Sequence, residues 1–186
     1  MKYISIGVVM HEGSEHILDV CRGGNSFRLT GERAALWLNG RQGFAYAEKP
    51  TELQTLEYLV KMGLAVKADG SAAEEYRTLT QCTLVPADRK FPYWGLMSQE
   101  KTVLRWLREA GLVLSMAELT FLMDRGIELQ DGLLGSDNAQ ALVEAIYTKE
   151  TICDNILENQ MEHAAAREQT VKAVLNLLKK KRIVLL

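Results

Sequence analysis

The chain has 186 residues, 47% of them apolar and 25% charged, and a formal net charge of −2. This is the composition of an ordered globular protein, long enough for one domain or two small ones, and it excludes disordered and collagen-like chains. No apolar run reaches the roughly 18 residues of a membrane-spanning helix. The N-terminal MKYISIGVVMHEG has neither a basic leader nor a small-residue cleavage site, so a cytoplasmic protein is expected.

Alternating apolar residues predict a β-hairpin of about 2–10 with 15–22, a turn over 22–26 and a short strand over 27–29. Thr30 is the N-cap candidate for a first helix over 31–40, ending near Gly40 or Gly43. Pro50 starts a second helix over 51–62, with Leu53, Leu56, Leu59 and Val60 on one stripe and Gly63 as its stop. A strand over 64–67, a polar turn and a returning strand over 76–85 complete this half.

Pro86 and Pro92 mark a boundary, dividing the chain into a hairpin-plus-helix domain over 1–92 and a second domain over 93–186. The second half restarts with a cap around Ser98 and Lys101 and a helix carrying Val103, Leu104, Trp106 and Leu107, stopped by Gly111. A short strand over 112–114, a helix over 116–125 and a strand or turn at 127–129 follow, then a helix over 137–147. Residues 150–181 read as one long helix with Leu157, Met161, Ala164, Glu168, Val171, Leu175 and Leu178 at a/d spacing, ending in a strand over 183–186.

One phrase recurs through this order. TELQTLEYLVKMGLAV, ELTFLMDRGIEL and VKAVLNLLKKKRIVLL each describe an amphipathic helix that stops sharply before an apolar run, with Gly63, Gly126 and Lys181 or Arg182 at the stop. LTGERAALWLNGRQGF and LMSQEKTVLRWLREAGL likewise share cap, helix, tryptophan and glycine, so the halves read as divergent copies.

Residues that carry chemistry are sparse. His11-Glu12 and Glu15-His16 place two histidines five apart on a turn, where a zincin helix needs them four apart. His163 lies in the polar part of the long helix, and Gly132-Leu-Leu-Gly135 is too short for a phosphate loop. Cys21, Cys82 and Cys153 have no C-x-x-C spacing, and Cys21 has no base or orienting group in sequence reach. No catalysis, cofactor or metal is therefore expected. Trp37 and Trp106 are expected to pack the helix starts. Residues 1–95 hold eleven Lys/Arg and eleven Asp/Glu, and residues 96–186 eleven and thirteen, so nucleic-acid binding would rest on local patches.

TELQTLEYLVKMGLAVKADGSAAEEYRTLT resembles the recognition helix and wing of winged-helix transcription regulators of the MarR-like and PadR-like kind, through Leu56, Leu59, Gly63, Leu64, Tyr76, Leu79 and Thr80. The resemblance covers roughly residues 31–85. It implies an α+β fold of tandem winged-helix-like domains that binds double-stranded DNA as a transcription regulator, with the long C-terminal helix pairing two protomers. The implied reading face is Thr51, Glu52, Gln54, Thr55, Tyr58 and Lys61, with Gln54 reading adenine and Lys61, Lys67 and Arg77 contacting the backbone. Glu52 and Glu57 on that face and Glu74-Glu75 at the wing tip keep a second class open. In that class the protein is an interaction module that takes up a peptide or protein partner in the winged-helix groove or by strand addition to the N-terminal hairpin.

Overall fold

Helix ends organise this α+β chain more than helix lengths do. A computed structural model describes residues 1–13, 17–87, 92–130, 134–148, 151 and 154–186, and places among them eight helices and three antiparallel three-stranded sheets. The N-terminal half runs β1 (Lys2–Ser5), β2 (Val8–Glu12), β3 (Ile17–Arg22), β4 (Asn25–Thr30), α1 (Gly31–Gly40), β5 (Ala45–Tyr46), α2 (Pro50–Lys61), β6 (Ala65–Ala68) and α3 (Ala72–Thr80). The C-terminal half runs β7 (Thr83–Pro86), α4 (Ser98–Arg108), β8 (Leu114–Ser115), α5 (Met116–Asp124), α6 (Gly135–Ile146), α7 (Asp154–Glu162), α8 (Arg167–Lys179) and β9 (Ile183–Leu185).

The recurring phrase is a recurring turn. After α2, the amide of Gly63 donates to the Val60 carbonyl and that of Leu64 to Leu59. After α5, Gly126 donates to Met123 and Ile127 to Leu122; after α8, Lys181 donates to Leu178 and Arg182 to Leu177. These are three Schellman ends, each needing a left-handed residue at the turn. Gly63 (φ 70°) and Gly126 (φ 59°) supply it freely, whereas Lys181 (φ 55°) is the one non-glycine residue with positive φ among the described residues.

Two of the sheets repeat each other residue for residue. In the order β5-β1-β6, Lys2 lies opposite Tyr46 and Ala68, and Ser5 opposite Ala65. In the order β8-β7-β9, Thr83 lies opposite Ser115 and exchanges backbone hydrogen bonds with Leu186, and Pro86 lies opposite Ile183. In both, the first strand is central, a two-residue strand forms one edge, and a Schellman-ended helix delivers the other.

Three expectations are corrected. The predicted strand over 2–10 divides at Ile6–Gly7, because Gly7 (φ 118°) turns the chain out of one sheet and into the next. A Cβ at Gly7 would lie 2.8 Å from Val20 Cγ1 and 3.1 Å from the Cys21 carbonyl, so only glycine fits this crossing. The Ile6 amide donates to Leu64, the Gly7 amide to Leu185, and the Trp37 indole to the Ile6 carbonyl, tying the crossing to both halves. The start of the hairpin's second strand at 15–16 lies outside the described residues.

Second, the expected wing strand over 76–85 is mostly the helix α3. Ser71 accepts from the Glu74 amide as its N-cap, and Tyr76 and Leu79, three apart, are buried on its inner face. Only Thr83–Pro86 is extended, and it pairs with β8 and β9 instead of β6. Third, the long C-terminal helix is two helices. The Arg167 guanidinium donates to the Glu162 carbonyl at the end of α7, and Asp124 accepts from the Ala166 amide at the start of α8. Its stripe residues Leu157, Met161, Val171 and Leu178 are buried in the chain's own core.

Leu18, Val20, Leu29, Trp37, Leu56 and Leu59 form one core beneath sheet β2-β3-β4, and Trp106, Leu119, Leu122 and Val174 belong to a larger second one. Trp37 and Trp106 are both buried, but in the later turns of α1 and α4 and not at the expected helix starts. No helix among the described residues is long and apolar enough to cross a membrane.

Candidate interaction surface

The outer edge of β4 is a six-residue strand edge with no neighbouring strand among the described residues. Gly23 (φ 56°) and Gly24 (φ 79°) make the two-residue turn between β3 and β4, with Arg22 opposite Asn25. Such a turn makes its flanking residues a hydrogen-bonded pair, and the alternation of an antiparallel ladder then makes 20↔27 and 18↔29 bonded pairs as well. The amides of Ser26, Arg28 and Thr30 and the carbonyls of Ser26 and Arg28 consequently point away from β3, while the Thr30 carbonyl, at the N-cap, starts the hydrogen bonding of α1. Sheet β2-β3-β4 ends at β4 among the described residues, and these three residues are exposed.

The strand is held firmly on its other sides. Leu29 is buried and Phe27 half-buried against the core under α1 and α2. On the opposite face the Arg28 guanidinium grips the Asp19 carboxylate at 2.9 and 3.1 Å, which lowers the Asp19 pKa through that hydrogen bond. Arg22 at the end of β3 donates to the Gly63 carbonyl, linking the hairpin to the end of α2. Beyond Thr30, Arg33 in the first turn of α1 lies 4.1 Å from the centre of the Tyr58 ring on α2. A rigid open strand thus runs toward a stacked Arg–Tyr pair.

The residues implied by the winged-helix resemblance divide into two places. Thr51, Gln54, Thr55, Tyr58 and Lys61 lie along one side of α2; Thr51, Gln54 and Lys61 are exposed, Thr55 and Tyr58 half-buried. Glu52 is occupied as a cap, accepting from the amides of Glu48 (3.0 Å) and Lys49 (3.3 Å), bonds that hold its pKa down. Lys67 on β6 is paired with Glu57 of α2. Arg77 is on α3, where it bridges Glu74 at 3.0 Å and Glu162 of α7 at 2.6 Å, away from the α2 face. Glu75, expected at a wing tip, is in the first turn of α3 and paired with the buried Lys2.

The sequence missed Arg33 and the edge atoms of Ser26, Arg28 and Thr30. Its only pointer to them was the alternation of Phe27 and Leu29 with polar neighbours after a Gly-Gly turn. Among the described residues no three His, Cys, Asp or Glu side chains cluster to hold a metal; Glu15, His16, Gly132 and Cys153 lie outside those residues. Compared with protein-family models, characterised proteins and solved structures, the chain matches none.

Proposed function

We propose that the protein is a non-catalytic interaction module that takes up an extended peptide segment of a partner as a fourth strand on β4. The observation that carries this reading is the row of outward backbone groups at Ser26, Arg28 and Thr30 on a strand anchored by core packing and by the Arg28–Asp19 pair. An exposed edge of this kind is a template for strand pairing, and proteins that do not use one usually cover or bend it. Arg33 and Tyr58 at the end of the strand offer a charged, aromatic anchor for the incoming segment.

The alternative, a DNA-reading winged helix, draws its support from α2, Gly63 and β6. It lacks a hairpin wing, and two of its three backbone-contacting cations, Lys67 and Arg77, are engaged by carboxylates. Arg28→Pro separates the two readings. It removes an amide that faces away from β3, which an edge strand tolerates, and blocks an added strand at its centre. Linear peptides selected from a random library against the intact protein should bind it and lose Arg28→Pro, with the variant's circular dichroism unchanged. If no peptide is selected and random duplex DNA binds with steep salt dependence, the strand-addition reading fails and the DNA reading stands.

A further inference from the structure

The end of α1 and the turn between α8 and β9 leave a cleft of about 290 Å³ between the two halves of the chain. Arg41, just past α1, and Lys181, in the turn after α8, both line it. Among the described residues neither has a carboxylate within ion-pairing distance. Glu12 also lines the cleft; burial lowers the Arg41 pKa and the charge of Glu12 partly opposes this. Asn39 and Gln42 add amides, and Leu178 gives the cleft an apolar side.

The balance of charge selects the ligand. Among the described lining residues the charged side chains are two cations, Arg41 and Lys181, and one carboxylate, Glu12, and the C-terminal poles of α1 and α8 add partial negative charge. A bare anion gains little in such a place, whereas a small molecule with a charge of each sign satisfies both. Lys181 adds an independent observation. The matching turns after α2 and α5 carry glycine, yet this one holds a lysine in the left-handed region, so a cationic side chain stands at the cleft at a backbone cost the other two turns avoid.

We propose that the cleft binds a small zwitterionic α-amino acid, its carboxylate held by Arg41 and Lys181 and its ammonium facing Glu12. This site is independent of the β4 edge. The test is calorimetry and thermal shift of the full chain with the twenty free L-amino acids at millimolar concentration. For the strongest responder, the amide lacking the carboxylate and the N-acetyl form lacking the ammonium are compared with the parent. At least one amino acid should raise the melting temperature, and both derivatives should bind at least tenfold more weakly. Lys181→Gly, which the turn accommodates without strain, should also weaken binding at least tenfold while the unliganded protein stays folded and about as stable. Glu12→Gln should do the same to binding. No response to any amino acid, an equal response to either derivative, or unchanged binding by Lys181→Gly overturns the proposal.

Discussion

Replacing Lys181 by glycine should leave the stability of the protein nearly unchanged, whereas alanine there should lower it, and the three matched helix ends allow the size of that difference to be worked out. Lys181 has φ 55°, where a Cβ crowds the following carbonyl at a cost of about 1–2 kcal/mol. Glycine gives back about 0.4–1 kcal/mol through the greater freedom of the unfolded chain. It also forfeits the attraction of a lysine for a helix C-terminus, about 0.3–1 kcal/mol. Lys181→Ala isolates the backbone effect because it loses the same charge but keeps the Cβ. The glycine variant should therefore exceed the alanine variant by about 1 kcal/mol, or roughly 2–4 °C in melting temperature for a chain of this length. Urea titration and differential scanning calorimetry measure both. Gly126→Ala provides the reciprocal: nothing lies within 4 Å of a Cβ there, so its loss of about 1 kcal/mol reports backbone alone. An alanine variant at 181 as stable as the glycine variant would refute the assignment of strain to this turn.

Gly7→Ala should cost more than about 2 kcal/mol in urea unfolding, because the new methyl meets Val20 and the Cys21 carbonyl at a positive φ. Ser71→Ala should cost about 1 kcal/mol through loss of the α3 cap, a loss that a wing hairpin would not produce. Lys180→Met breaks the 2.6 Å pair with the buried Glu100 and should cost about 2 kcal/mol, less than a fully buried pair because the Lys180 side chain is 38% exposed. Burial pushes the Glu100 pKa up, but Lys180 and the Met97 amide outweigh it and leave the carboxyl below its ordinary value. The stability this pair adds is present above the unfolded carboxyl pKa and lost as pH falls through the folded one. The difference between wild type and Lys180→Met should accordingly be largest near neutrality and vanish in acid. Light scattering should find a 20.9 kDa monomer, since the expected dimer stripe of the C-terminal helices is already buried within the chain.

Local chemistry was legible where a single residue forces the backbone. Gly63, Gly126 and the Leu-x-x-Leu spacing before them marked helix ends that close by the same turn, and Pro50 marked the start of α2. The identity of α3 was misread even though Ser71, Glu74 and the three-residue spacing of Tyr76 and Leu79 encode a capped helix. The wing pattern of Tyr76, Leu79 and Thr80 is equally compatible with a helix, and the cap at Ser71 decides for the helix. The break between α7 and α8 is only partly local: Arg167 reaches the Glu162 carbonyl five residues back, but the carboxylate that accepts from the start of α8 belongs to Asp124, 42 residues earlier. The β4 edge was similarly hidden: an alternating strand looks the same in sequence whether it is covered or open.

The crossing at Ile6–Gly7 also bears on how the chain is made. Tyr3 belongs to the first core, but Ile4 and Ile6, on the same short segment, belong to the second, and the Gly7 amide waits for Leu185. A ribosome releases this segment well before its partners in the second half. Until β9 emerges the Gly7 amide lacks its native acceptor, and Ile4 and Ile6 lack most of the core they join, so this segment is open to misassociation in the interval. Completion of this crossing is then tied to β9, and the long sequence separation of that contact argues for slow docking of the two.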